Sequence, residues 1–324
     1  MPSPKLAASP SAGRRSSKPN TCAPLSPARC CNSSSGQTPT DGRWPSRRRT
    51  GNRWSLPGGN PAHPSATAVR LQTTIPALTW RDWIWDPAVL LGLAAITGTW
   101  VWIARRFPPR QSQLWYGWVA LGILTLTLLS PLDHGAEFSF TLHMAQHMLL
   151  MLVVAPLLAL AAPAGLLGWL RRRLVVGPLI RGVWSPIPAF IVYHVALFAW
   201  HLPVLYDAAV RVEILHLVQH VTFVLGGLAF WEVIVAPEPR LVQATLGQRM
   251  ALVLAANIAG WGLSFVLALS ERPIYSAYVQ RGLWGLSPVD DLRLGGAVMW
   301  VWGNVIYGAA LLLLFFAWMR REGR

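Results

Sequence analysis

Residues 140–162, FTLHMAQHMLLMLVVAPLLALAA, decide the fold class. No Asp, Glu, Lys or Arg interrupts them. As a helix rising about 1.5 Å per residue they reach about 35 Å, enough to cross the roughly 30 Å hydrocarbon core of a bilayer. Outward from this stretch, comparable apolar runs occupy 87–105, 113–130, 187–207, 213–236, 248–270 and 297–319. The expected fold is therefore an all-α polytopic membrane protein with about seven transmembrane helices. Composition agrees: the chain is 53% hydrophobic and 13% charged, against about 25% charge in soluble domains. Many of its 18 tryptophans flank the runs, where the amphipathic indole meets the headgroups.

Residues 1–80 read differently. They are rich in Pro, Ser, Gly and Arg, with Asp41 their only acidic residue, too polar to bury a core. The expected organisation is a disordered basic tail over 1–80, or a translation start downstream of Met1, followed by a seven-helix domain over 81–324. The tail has no apolar core of a secretory signal. All three cysteines, Cys22, Cys30 and Cys31, lie in it without a CxxC pair, so no thiol metal motif is present. His63 in the same tail reads as incidental.

The formal net charge of +15 suggests nucleic acid until its distribution is considered. Eleven basic residues from Lys5 to Arg70 belong to the tail, and most others sit between apolar runs. No basic face or binding fold accompanies them, so nucleic acid is not an expected partner; the lipid bilayer is. Arg105, Arg106 and Arg110 follow the first run; Arg171, Arg172, Arg173 and Arg181 the third; Arg240 and Arg249 the fifth; Arg320, Arg321 and Arg324 the last. Alternate loops carry Asp133 and Glu137, then Asp207, Arg211 and Glu213, then Glu271, Asp290 and Asp291 beside three arginines. The positive-inside rule puts the carboxyl terminus in the cytoplasm and the start of the first helix, with the amino terminus, outside.

Seven of the eight histidines accompany the membrane runs. His134 is in a loop, His143 and His147 open the third run, His194 and His201 lie on the fourth, and His216 and His220 open the fifth. Spacings of four and seven keep each pair on one helical face. Leu142–His147 and Leu215–His220 both read LHxxQH. With this topology His143, His147, His201, His216 and His220 share a depth of roughly 5–13 Å from the outer boundary, and His194 lies about 20 Å down. Ionisable groups at membrane depth are rare and usually functional, so these five are the expected metal ligands, with interhelical hydrogen bonding as the plainer reading. Gln146 and Gln219 are expected to orient the imidazoles. Met144 and Met148, with Met151 and Met299 nearby, offer thioethers that favour Cu(I), or simply fill gaps. His194, Asp290 and Asp291 are further possible ligands. Three functions fit these residues: a metallochaperone, a b-type cytochrome with axial histidines, and an intramembrane zinc hydrolase with Asp133, Asp290 or Asp291 as base. No nucleophile–base–oxyanion set and no phosphate loop is present, so an enzyme is not expected.

HMAQHMLLMLVVAPLLAL at 143–160, WHLPVLYDAA at 200–209, LHLVQH at 215–220 and LSPVDDLRLGGAVMW at 286–300 resemble the multi-span cytochrome c oxidase assembly factor CtaG family. The likeness covers roughly 85–320. It implies a seven-helix protein of the bacterial inner membrane that helps form active cytochrome c oxidase. It further implies copper, held transiently, as cargo for the haem–copper oxidase subunit, with a copper donor protein as a second partner. The positions carried over are His143, His147, His201, His216, His220 and the Asp290–Asp291 pair. Arg293 and Gly295 stand where the last family motif often has Gln and Ala.

Overall fold

A computed structural model of the chain describes residues 78–172, 182, 185–235 and 244–322. The basic tail, apart from 78–80, lies outside the described residues, as do Arg173, Arg181 and Arg240. Among the described residues every regular element is helical. Helix α1 (Pro87–Arg106) starts where the Asp86 carboxylate accepts from the Ala88 and Val89 amides, with Pro87 pre-set for the first turn. Then follow α2 (Gln111–Leu129), a short α3 (Pro131–Ala136) and α4 (Phe140–Leu149), a π-helical turn (Leu150–Val154), and α5 (Ala155–Ala161). The remaining elements are α6 (Ala164–Arg172), α7 (Pro186–Trp200), α8 (Pro203–Arg211), α9 (Glu213–Val235), α10 (Leu246–Ala268), a 3-10 turn (Ser276–Tyr278) and α11 (Pro288–Glu322).

Among the described residues six helices are long and apolar enough to span a bilayer: Pro87–Arg106, Gln111–Leu129, Phe140–Ala161, Glu213–Val235, Leu246–Ala268 and Pro288–Arg321. This is the architecture of a multi-pass membrane protein. The expected fourth span, 187–207, is a bent pair, Pro186–Trp200 with Pro203–Arg211, and counted as one broken span it brings the total to the seven expected. Helix α7 ends at Trp200 and the chain turns through 75° into α8. Pro203 is the cause, because it cannot donate to the Ala199 carbonyl and its ring crowds that carbonyl. Helix α11 begins well before the apolar run at 297, so Asp290 and Asp291 form its first turn rather than a preceding loop. Pro288 suits a first turn, acidic side chains there meet the positive end of the helix dipole, and the Ser287 hydroxyl accepts from the Asp290 amide at 3.1 Å.

The π-helical turn follows from Pro156. In the turn the Ala155 amide donates to Leu150 O, five residues back. That leaves Met151 O without Ala155, and the next donor along the helix would be Pro156, which has no N–H. The Trp231 indole of α9 fills the gap, donating to Met151 O at 2.9 Å. Backbones come close at this crossing because α9 carries glycine there: a Cβ on Gly227 would sit 2.8 Å from Ala155 Cβ. Small residues serve the same purpose wherever membrane helices pack tightly.

Burial separates the spans into centre and periphery. In Phe140–Ala161 and Glu213–Val235, 61% of the apolar window is buried, against 11% in Pro87–Arg106 and 22% in each of the last two spans. The two helices that carry LHxxQH are thus the two central ones, so their histidines face protein instead of lipid.

Candidate metal centre

Each LHxxQH motif enters its helix in the same register. Ser139 caps α4, its hydroxyl accepting from the Leu142 amide at 3.4 Å, so His143 is the fourth residue of α4 and His147 the eighth. Glu213 begins α9, and His216 and His220 are again fourth and eighth. Equal registers on adjacent helices bring the two pairs to one level. One nitrogen from each of His143, His147, His216 and His220 lies within 4.8 Å of the others. Ring centroids are 4.3 Å apart for His143 and His147, 4.2 Å for His216 and His220, 5.1 Å for His143 and His216, and 5.3 Å for His147 and His220. Three of the rings are buried and His216 is half-buried.

Proton accounting identifies the lone pairs. The Tyr278 hydroxyl donates to Ala136 O at 2.8 Å. Having spent its proton, it accepts from His143 Nδ1 at 2.7 Å. Burial pushes the Tyr278 hydroxyl above its usual range, so it keeps that proton. His143 therefore bears its hydrogen on Nδ1 and turns the Nε2 lone pair toward His147 Nε2, 2.9 Å away. Without an ion, His147 Nε2–H donates across this gap. Two imidazole nitrogens bound at about 2.0–2.1 Å to one ion would be about 2.9 Å apart at a right angle and about 3.3–3.4 Å at the tetrahedral angle. The observed gap fits a shared ion as well as a hydrogen bond. His147 Nδ1, His216 Nε2 and His220 Nε2 are buried with no hydrogen-bond partner, and an unmet buried polar atom costs about 1–3 kcal/mol. Convergent imidazoles with spare lone pairs fit a transition-metal ion such as copper, zinc or iron.

The segment between α10 and α11 closes over this end of the bundle. Asp207 of α8 accepts from the Ser276 amide at 3.1 Å, the Ser276 hydroxyl at 2.6 Å and the Ala277 amide at 3.0 Å, capping the 3-10 turn. Arg281 donates to Glu137 O at 2.8 Å on the opposite side. The Tyr275 hydroxyl donates to His201 O at 3.0 Å. Phe140, Tyr206 and Tyr275 stack beside the histidines, with ring centroids 4.0–5.6 Å apart. Tyr206, Tyr275, Tyr278 and Asp207 were absent from the expected site; the legible signal was the pair of tyrosines, Tyr275 and Tyr278, in the segment before α11.

The other expected residues take different places. His201 stands at the edge of the group, sharing neighbours with it: its ring is 6.2 Å from Tyr206 and 6.5 Å from Phe223, which touch His143 and His147 at 5.3 Å and 4.7 Å. His201 Nδ1 donates to Leu197 O at 2.7 Å, and its Nε2 is buried without a partner. His194 lies two turns away, stacked on Phe190 at 4.0 Å. His134 packs on Phe138. Asp291 is buried and accepts from the Ser139 hydroxyl at 2.7 Å, the Phe140 amide at 2.6 Å and the Thr141 amide at 3.1 Å, so it anchors the start of α4. Asp290 is exposed and accepts from the Ser287 hydroxyl. Met144 and Met148 face the apolar core. Gln146 does not orient an imidazole: its amide donates to Thr127 O at 3.2 Å and to the Asp133 carboxylate. Burial pushes the Asp133 carboxyl up to about 6, against the lowering effect of that Gln146 bond. Gln219 is fully buried against His143 and makes no side-chain hydrogen bond of ordinary geometry.

Residues 93–321 match the family model described as cytochrome c oxidase caa3 assembly factor. No curated protein matches the chain, and no solved structure does.

Proposed function

We propose that this chain, which belongs to the cytochrome c oxidase caa3 assembly factor family, aids the oxidase by delivering copper to its haem–copper subunit. The cargo site is His143, His147, His216 and His220, with His201 at its edge. The observation that carries this reading is the convergence of four imidazoles from two central helices to within 4.8 Å. Neutral imidazoles bind copper without the tight thiolate grip that would hinder release. Tyr278 fixes one ligand's tautomer in advance, as outer hydrogen bonds do for metal-bound histidines. Copper is substrate here, received from a donor protein and passed on. In this reading the membrane is a bacterial inner membrane, with the histidine end outside and the carboxyl terminus in the cytoplasm, the orientation that the loop charges favour.

Two features favour copper over the alternatives. A haem needs an open slot between axial imidazoles from facing helices, but the facing rings, His143 with His216 and His147 with His220, are 5.1 and 5.3 Å apart, closer than two imidazoles bound to opposite faces of one porphyrin. A zinc hydrolase needs an acid beside the metal-bound water, and Asp133, Asp290 and Asp291 are all engaged elsewhere. An assembly protein without turnover of its own agrees with both.

The experiment is genetic and analytical together. In cells lacking the chain, oxidase copper content and activity should fall, be restored by the wild-type gene, and be partly restored by added copper. His143→Ala/His147→Ala should fail to restore them at normal copper while accumulating to wild-type levels. Full rescue by that variant, or a copper-replete oxidase without the chain, would overturn copper delivery.

A further inference from the structure

Beneath the histidine layer a cavity of about 30 Å³ is lined by Met148, Met151 and Met299. The chain has seven methionines, and two central-span residues and one from α11 meet at this single space. All three side chains are buried, at 5%, 1% and 5% exposure. We propose that this cavity is a second metal site, a thioether pocket for Cu(I), separate from the imidazole cluster.

Size, polarity and position support the assignment. A volume of about 30 Å³ is enough for one water or one ion. Thioethers are neutral and soft, and they favour Cu(I) over harder or divalent ions. A monovalent ion with three polarisable sulfurs loses least on entering such an apolar space. Asn257 adds an oxygen: its Oδ1 is buried without a hydrogen-bond partner and lies beside Gly303, another lining residue. The cavity also shares its wall with the histidine layer. Met148 follows His147 directly, and Leu197, which lines the cavity, holds His201 Nδ1 through its carbonyl at 2.7 Å. An ion leaving the imidazoles for the interior meets the thioethers next. This site does not depend on the imidazole cluster's binding copper.

The test uses the full chain in detergent under anaerobic, reducing conditions, with Ag(I) as the soft monovalent probe and Cu(I) for X-ray absorption. Wild-type protein should show metal–sulfur scattering and bind Ag(I) at the cavity. Met148→Leu/Met151→Leu/Met299→Leu, volume-conserving changes that cores tolerate, should lose the sulfur signal and weaken that Ag(I) equivalent by about 10- to 100-fold or more. His143→Ala/His147→Ala should keep it, which separates this site from the imidazole reading. Selenomethionine-labelled wild-type protein needs no substitution and should show a metal neighbour at the selenium edge. Absence of a metal–sulfur or metal–selenium signal in wild-type protein would overturn the proposal, leaving the methionines as packing. Unchanged Ag(I) affinity in the leucine variant would overturn it equally.

Discussion

In the first LHxxQH motif, Gln146 is tied to Thr127 and Asp133, and His143 to Tyr278. In the second, Gln219 makes no side-chain hydrogen bond of ordinary geometry, and Nε2 of both His216 and His220 is unmet. The motifs share sequence, helix register and depth, so the difference comes from what packs against them. The first helix starts under the loop that carries Tyr278 and against the first turn of α11. The second meets α7, the π-helical turn and α5. The first motif has one imidazole, His143, held in place before any ligand arrives, whereas in the second both Nε2 atoms are unmet. A transfer site needs both properties: a fixed arm to set geometry, and an uncommitted arm whose release costs little.

The largest expected effect is on the free arm. His216→Ala/His220→Ala should lower copper affinity by at least about 100-fold, more than the loss of an outer hydrogen bond, as measured by competition with a chromophoric chelator. Tyr278→Phe should act on the fixed arm. It removes the acceptor that keeps the proton on His143 Nδ1, and affinity should fall by about 10- to 100-fold. An effect of Tyr278→Phe as large as loss of the histidine pair would break the distinction between a ligand and the residue that positions it.

The glutamines sharpen the contrast through stability. Gln146→Leu leaves the Asp133 carboxyl without its donor and should cost about 1–3 kcal/mol, whereas Gln219→Leu, with no ordinary hydrogen bond to lose, should stay within about 1 kcal/mol. Thermal unfolding in detergent measures both, and a larger loss for Gln219→Leu would reverse the account of the two motifs. The smallest effect is a pH dependence. The Asp133 carboxyl is raised to about 6 in the fold, so the folded state holds its proton more tightly than the unfolded state. Its contribution is complete below about pH 4 and fades as pH rises through about 6. Asp133→Asn should flatten that decline, and an unchanged slope would show that another group causes it.

Much of this was legible in the sequence. The run at 140–162 gave a spanning helix because its length and lack of charge leave no soluble alternative. Topology and the helical rise pointed to one depth for His143, His147, His201, His216 and His220; four of them converge and His201 stands at the edge. The bend at Leu202 was missed although Pro203 was visible, since an apolar count is blind to a single missing N–H. The early start of α11 was missed because two acids read as loop until Pro288, Ser287 and the helix dipole are weighed together. Tyr278 and the Asp291 anchor could not be found by periodicity: each acts on α4 from more than 130 residues away in sequence, and only folding joins them.

The most direct test is the copper content of the purified full chain, by elemental mass spectrometry after loading and removal of loose metal, beside His143→Ala/His147→Ala and His216→Ala/His220→Ala. Copper in the wild type that falls when either pair is removed, with all three proteins folded, is the predicted result. Metal equally retained in both variants, or none in the wild type, would contradict a copper site built from the two LHxxQH motifs.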